Sequence, residues 1–465
     1  MFKLPYLYQH DGHHVGIDSL DGGGGGKTRT LILDPVSRVE GDIAINVEIK
    51  SDGRLEKVWV GPTEPPRFIE KILRGHDYDT APWLASRICG ICWLPHFLAS
   101  AQAVEDALEI QVTQQTRELR EAAMLATMLQ SHVQHAVLLS LPDLLRLPNA
   151  FPLIGSHPEV FALVRKLERL GNDITTVLTG RDVSGVSFTV GGVTHFPKES
   201  EIADLLARVT EAKSEILELA RVYSTFLTED RLLAFDRERE FISLSPYLGE
   251  ENYPYTDGLL CSNDTGSVPI TMASYLNHTN ERYVPGGTGK TTRHVRSSLT
   301  VGSLARVNNN YRFLAEPAKS VADLFGICVP DHRIAMNPAA QLVESVDAIY
   351  RLEDVLWRLF AYGVHEEPVV LPVIPERAVN GIGVVEAPRG ILIHHYTIDK
   401  GKIILANCIV PTGQNYGSMQ SDLEYAVPMY LREHLSDEEI RFRAEKIVRD
   451  HDPCNSCAVH FLRVK

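Results

Sequence analysis

Apolar and polar residues alternate from about Thr30 onward. Ile43, Ile45, Val47 and Ile49 are interleaved with Ala44, Asn46 and Glu48, the period of a half-buried strand. Ser51-Asp52-Gly53 supplies turn chemistry, and Leu55 to Val60 reads as the returning strand. Beyond about residue 80 the period becomes helical. In 199–226, Ile202, Leu205, Leu206, Val209, Ala212, Ile216, Leu219, Ala220 and Tyr223 form one stripe. Similar stretches predict helices at about 96–110, 114–141, 158–179, 299–316 and 338–362. Ser436-Asp437-Glu438-Glu439 is a capping box that predicts a helix running to about Asp450. The segment 244–295 is rich in Tyr, Pro, Gly and Asn without a period and reads as a long irregular insertion. Short apolar runs broken by Pro and Gly in 367–415 read as short strands and loops. Residues 1–29, polar and with five glycines at 22–26, read as a flexible N-terminal arm.

The 465 residues are 44% hydrophobic and 23% charged, so a sizeable core is available and global disorder is excluded. A net charge of −14 argues against a nucleic-acid binder, which needs a basic footprint. No apolar run approaches the ~18 residues of a membrane span. The first residues lack an apolar signal core and a twin-arginine pair, so a cytoplasmic location is expected. Gly26-Lys27-Thr28 and Gly289-Lys290-Thr291 look like the end of a phosphate-binding loop. Asp21 and Val284 stand where that motif needs its earlier glycine, so both read as flexible loops. His10, His13 and His14 sit in the arm and read as mobile.

Seven cysteines fall at 89, 92, 261, 328, 408, 454 and 457. An odd, sparse count is no disulfide framework. Four of them form two Cys-x-x-Cys pairs, each followed by a histidine: Arg87-Ile88-Cys89-Gly90-Ile91-Cys92 with His96, and Asp452-Pro453-Cys454-Asn455-Ser456-Cys457 with His460. Four thiolates suit zinc, iron–sulfur or another soft metal. Structural zinc sites usually draw both pairs from one short segment, and these lie at opposite ends of the chain. Cys261 and Cys328 have no partner spacing and read as buried apolar residues.

The two cysteine motifs resemble the signatures of the nickel-iron hydrogenase large subunit. Asp34-Pro35-Val36-Ser37-Arg38-Val39-Glu40-Gly41, Arg67-Phe68-Ile69-Glu70, Glu386-Ala387-Pro388-Arg389-Gly390 and Val410-Pro411-Thr412-x-x-Asn415 extend the resemblance over most of the chain. Residues 1–29 and 244–295 are not covered. The resemblance implies an α+β fold, predominantly α: a core of long helices with small peripheral sheets. Residues 30–460 would form one domain, with the two cysteine segments meeting at a buried bimetallic site. It implies nickel held by Cys89, Cys92, Cys454 and Cys457, with Cys92 and Cys457 bridging to an iron that carries carbon monoxide and two cyanides.

The implied reaction is the reversible heterolytic cleavage of H2, with Cys454 taking the proton, Glu40 relaying it and Arg389 held over the metals. Pro388, Pro411 and Thr412 would line the diatomic ligands; His96 and Asp452 would orient sulfur and arginine. Glu70, the backbone carbonyl of Cys408 and His460 would hold a magnesium or similar ion. The electrons would pass to an iron–sulfur small subunit, with further flavin or NAD(P) subunits behind it. Only Cys261, Cys328 and Cys408 remain, too few for a Cys₄ cluster of this chain's own. A maturation protease and nickel chaperones are implied too, with 461–465 as a removable tail. Ser131 stands where many members carry an acid, and Gly180-Arg181-Asp182-Val183-Ser184-Gly185 replaces a frequent Gly-Arg-x-x-His-Pro step. Both departures resemble the cytoplasmic, bidirectional and sulfhydrogenase-alpha group. A metal-free relative, such as the related chain of respiratory complex I, would have no reason to keep all four cysteines.

Overall fold

The computed structural model describes residues 28–249 and 253–459. Most of the arm, with its histidines and Gly26-Lys27, lies outside the described residues, as do His460 and 461–465. Strands β1 (Arg29–Leu33), β2 (Ile43–Ile49) and β3 (Leu55–Pro62) form an antiparallel sheet in that order. The register sets Leu31 and Val58 on either side of Val47, so one face meets the core, as the alternation predicts.

The long helices, with the short α1 that carries Glu70, are α1 (Ile69–Leu73), α2 (Trp93–Ala107), α3 (Gln114–Val133), α4 (Pro158–Thr179), α5 (Glu199–Ser224), α6 (Ser303–Asn310), α7 (Glu316–Leu324), α8 (Asn337–Tyr362), α9 (Pro411–Arg432) and α10 (Asp437–Asp450). Helix α8 packs against both α3 and α5, and α4 packs against the same two. The first half of α8 is buried on every side, as expected of a helix at the centre of a core. Half of the predicted capping box is formed: Ser436 Oγ accepts from Glu439 N at 3.2 Å, while the Glu439 carboxylate accepts from Arg146 and Arg443.

Three segments differ from the pattern. The apolar period of 114–141 continues past α3, but the chain widens into π-helical turns over Gln134–Ser140. The predicted helix at 299–316 is broken: Leu314 is extended, and Pro317 starts a new helix in the first turn of α7, where its missing N–H costs nothing. The 244–295 segment carries regular structure. Strands β4 (Glu240–Ser245), β5 (Leu259–Ser262), β6 (Gly266–Val268) and β7 (Leu299–Thr300) form a sheet in the order β7-β4-β5-β6. Most of these strands are too short for alternation to show in the sequence. Gly289-Lys290-Thr291 is no loose loop either, because Lys290–Thr291 pairs with Arg282–Tyr283. Cys261 is buried as expected, whereas Cys328 is exposed, on the chain leaving α7.

A second antiparallel sheet positions the site. It comprises β8 (Val379–Ala387), β9 (Gly390–Asp399) and β10 (Lys402–Ile409). Helix α2 lies directly on β8. A Cβ at Gly381 or Gly383 would come within 2.1 Å of Ala103 O or 1.9 Å of Ala99 O, so only glycine permits this approach. The start of α2, and Cys92 just before it, is thereby fixed beside the β8–β9 turn that carries Arg389.

Candidate metal centre

The two cysteine pairs meet. Cys89 and Cys454, 365 residues apart, place their sulfurs 3.4 Å from each other; Cys92 and Cys457 are at 2.9 Å, and Cys454 and Cys457 at 2.8 Å. All four sulfurs lie within 4.8 Å of one another and all are buried. These separations exceed the ~2.05 Å of a disulfide, and all four cysteines are free. Hydrogen bonds from the thiols of Cys454, Cys457 and Cys92 hold Cys89 well below the usual thiol range. Burial pushes Cys454 and Cys457 well up. Four thiols in a dry site cannot all ionise alone; a soft cation bound by sulfur supplies the missing charge. The donor set therefore fits a thiolate-bound metal.

Backbone contacts hold the second pair in place. Glu40 and Cys454 form an isolated parallel bridge. The carbonyl of Glu40 accepts from Asn455 N and Nδ2, both at 2.9 Å. Its carboxylate accepts from Ser456 N at 3.2 Å and from the Ser456 hydroxyl. Glu40 is thus a half-buried partner of the cysteine segment. Gly41 follows at φ +74°, where a Cβ would lie 3.0 Å from Ser456 N and 2.4 Å from Glu64 Oε1. Thr412 Oγ1, at the start of α9, accepts from Cys454 N at 2.8 Å.

A small cavity opens beside the sulfurs. Cys92, Cys454 and Cys457 line it with His96, Ala387, Arg389, Pro411 and Thr412. Pro388 is not among its lining residues; its carbonyl accepts from Arg306 Nη2 at 3.0 Å. Arg389 donates to Asp452 Oδ1 from Nε at 3.1 Å and pairs through Nη2 at 3.0 Å. Its Nη1 is buried without a protein partner. Burial works against the guanidinium charge, but Asp452 and the sulfurs outweigh it and hold Arg389 firmly protonated. Asp452 also accepts from Gln341 Nε2 at 2.9 Å, and Gln341 Oε1 meets His135 Nδ1 at 2.6 Å. His451, the residue before, is tied to buried Asp422 on α9 at 2.8 Å. Asp422 further accepts from Arg237 at 2.6 Å and Arg239 at 2.9 Å.

His96 heads a buried row. Its Nδ1 lies 3.2 Å from His394 Nε2, His394 Nδ1 lies 2.7 Å from Tyr396 Oη, and Tyr396 donates to Ser100 Oγ at 2.8 Å. Burial pushes His96 down to about 4 and His394 well below its ordinary value, so both are neutral near pH 7. Sequence reasoning missed His394, Tyr396, Gln341, His135 and Arg306. The available signal was polar residues inside apolar stretches, such as Gln341 and Glu344 on α8.

Glu70 and Cys408 meet at a second place. Glu70 Oε1 accepts from Cys408 N at 2.9 Å and lies 3.8 Å from Lys290 Nζ, which donates to Glu281 Oε2 at 2.9 Å. In an antiparallel strand a residue's N–H and C=O share one edge, so the Cys408 carbonyl sits on the Glu70 side of β10. Burial pushes Glu70 up to about 8 despite Lys290: this carboxylate lacks a full countercharge. Oxygen donors short of positive charge fit a hard divalent cation. His460, the third expected ligand, lies outside the described residues. Burial pushes the Cys408 thiol well up.

Fold and site together define a metalloprotein with a buried four-thiol centre assembled from both ends of the chain. The chain matches the family model described as nickel-dependent hydrogenase over residues 67–151 and 243–460, a span that includes the 244–295 segment. It is 31% identical to sulfhydrogenase 2 subunit alpha of Pyrococcus furiosus, over 93% of this chain and 99% of that one. It is 28% identical to the NAD-reducing hydrogenase HoxS subunit beta of Cupriavidus necator, over 94% and 95%. Among solved structures, an NAD+-reducing NiFe hydrogenase in the H2-reduced state superposes with a TM-score of 0.82 at 26% identity, over 93% and 99%. The NiFeSe hydrogenase of Desulfomicrobium baculatum shares the fold at a TM-score of 0.74 and 22% identity, over 93% and 100%. The chain belongs to the nickel-dependent hydrogenase family, and its activity is that of the catalytic large subunit: reversible cleavage of H2. Among the described residues no helix is long and apolar enough to cross a membrane.

Proposed function

We propose that Cys89 and Cys454 bind nickel terminally, that Cys92 and Cys457 bridge it to an iron carrying carbon monoxide and two cyanides, and that Glu70, the Cys408 carbonyl and His460 hold a magnesium or similar ion. The observation that carries this reading is the meeting of four buried sulfurs, from segments 365 residues apart, within 4.8 Å. When bound, the metal pair supplies the place where H2 is polarised and split heterolytically. The chain's own residues do the rest. Cys454 takes the proton on its sulfur. Glu40, whose backbone is bridged to Cys454, receives it and passes it toward water by rotating its carboxylate. Arg389, pinned by Asp452, holds a fixed positive charge at the cavity, where a pre-oriented donor needs no reorganisation. His96 and Asp452 orient sulfur and arginine. Pro411 and Thr412 give the cavity an apolar wall with one hydroxyl, and Pro388 shapes the turn that carries Arg389.

In the same reading the electrons leave through an iron–sulfur small subunit, backed by further flavin or NAD(P) subunits, in the cytoplasm. Supporting this, the two relatives named above are subunits of larger enzymes, and only three cysteines remain here once the four ligands are assigned. A maturation protease and nickel chaperones would load the centre and remove 461–465. The test is metal analysis of the purified complex together with infrared spectroscopy. Nickel and iron in equal amounts, with carbon monoxide and cyanide bands, are expected. Loss of both metals and of H2 uptake is expected in each of four Cys→Ala variants. A complex active on H2 without nickel would refute the assignment.

A further inference from the structure

Arg67 lies just before α1, outside the cavity. Its Nη2 donates to two carbonyls, that of Ile88 and, at 2.8 Å, that of Ser456. Ile88 precedes Cys89, and Ser456 precedes Cys457. The backbone N–H of Arg67 donates to Val459 O at 2.8 Å. One residue thus grips the second cysteine segment at 456 and 459 and ties it to the first pair at 88. The two segments have no sequence proximity to hold them together, so local contacts must offset the cost of closing so long a loop. A guanidinium suits this task, because one nitrogen can present two N–H groups in a fixed plane to two acceptors. The carbonyls it grips are bonded to ligand residues, so their displacement moves the sulfurs.

We propose that Arg67 is a positioning residue that latches the second cysteine pair onto the first and slows escape of the nickel. The inference rests on the reading of the four cysteines as nickel ligands. The experiment uses the purified holo-complex with Arg67→Met, which loses both side-chain bonds, and Arg67→Lys, which keeps the charge without the fork. Nickel release to a strong chelator is timed, alongside the global unfolding midpoint and amide exchange of 454–459.

Arg67→Met should release nickel about 10- to 100-fold faster, the range over which partners of metal ligands act. Faster exchange at 454–459 should accompany it, while the midpoint and exchange in α3 and α8 stay near the parent's. Arg67→Lys should fall between the two. If Arg67→Met does not accumulate, Arg67→Lys decides alone by the same release rate. Release and local exchange at the parent rate would overturn the latch, and so would faster release accompanied by an equal loosening of α3 and α8. A parent complex without nickel, or a Cys89→Ala variant that keeps it, would instead overturn the ligand assignment.

Discussion

Replacing Glu40 by glutamine separates the proton path from assembly of the site. The backbone contacts of Glu40 with Asn455, two bonds at 2.9 Å, do not involve its side chain and survive the change. The carboxylate accepts from Ser456 N and from the Ser456 hydroxyl on different oxygens. A glutamine amide keeps one oxygen for the N–H. Its NH₂ can donate to the hydroxyl, which turns from donor to acceptor. What is lost is the charge assistance of two bonds in a half-buried place, about 1 kcal/mol. Folding and metal content should therefore stay near the parent's. Proton transfer should not: an amide cannot take a proton from sulfur and release it. Turnover with a dye acceptor and hydrogen–deuterium exchange with solvent should fall by roughly 10²-fold or more, the scale for a positioned acid–base group. Interconversion of the spin isomers of H2 should persist, because splitting and recombination need no exit to water. Exchange with solvent at the parent rate, in a variant of normal nickel content, would refute the reasoning and turn attention to Arg389.

Arg389→Lys keeps a charge but replaces a fork held at two points with one flexible ammonium. Turnover should fall by about 10²-fold or more with nickel retained, as metal analysis beside dye-linked assays would show. Asp422 reports on acid stability: burial opposes its charge, but Arg239, His451 and Arg237 outweigh it and hold it below its ordinary 3.8. Its contribution is complete above the unfolded pKa and is lost as pH falls through the lower folded value. Asp422→Asn should cost about 3–5 kcal/mol in urea unfolding near pH 7, and the difference should shrink below about pH 4. Intact mass spectrometry of the active complex should show loss of residues 461–465; an active form retaining Lys465 would show maturation without the cut.

Which parts of this architecture could be read from the sequence depends on how far apart the interacting residues lie. Helices at 158–179 and 338–362 were legible because one apolar stripe on a long helix repeats often enough to fix its period. The segment 299–316 misleads because β7, α6 and a 3₁₀ turn at Tyr311–Phe313 follow one another closely, so three short elements imitate one helix. Strands β5 and β6, at 4 and 3 residues, hold at most two alternations. Cys261 and Cys328 look alike in sequence, yet one faces a core and the other water. No local pattern carries that difference.

The site divides in the same way, and the reason lies in the chemistry of its contacts. Sulfur ligands must be cysteines, so the two pairs are written in the residues themselves. The contacts that bring them together are different. Glu40 O accepts from Asn455, Thr412 receives Cys454 N, and Arg67 donates to Ile88 O and Ser456 O. In each, one partner is main chain, which every residue has, so the acceptor or donor at that position leaves no mark in the sequence. Only the side-chain partner is marked, and it stands far from its mate. The network behind Asp452 is harder still, because Gln341 and His135 meet one another as side chains 206 residues apart. Their types are common, and several pairings would satisfy the same buried carboxylate. The sequence of such a centre therefore specifies what binds the metal more openly than what holds the binders in place. The Arg67 carbonyl contacts belong to the second kind, and their role becomes visible only once both cysteine segments stand beside it.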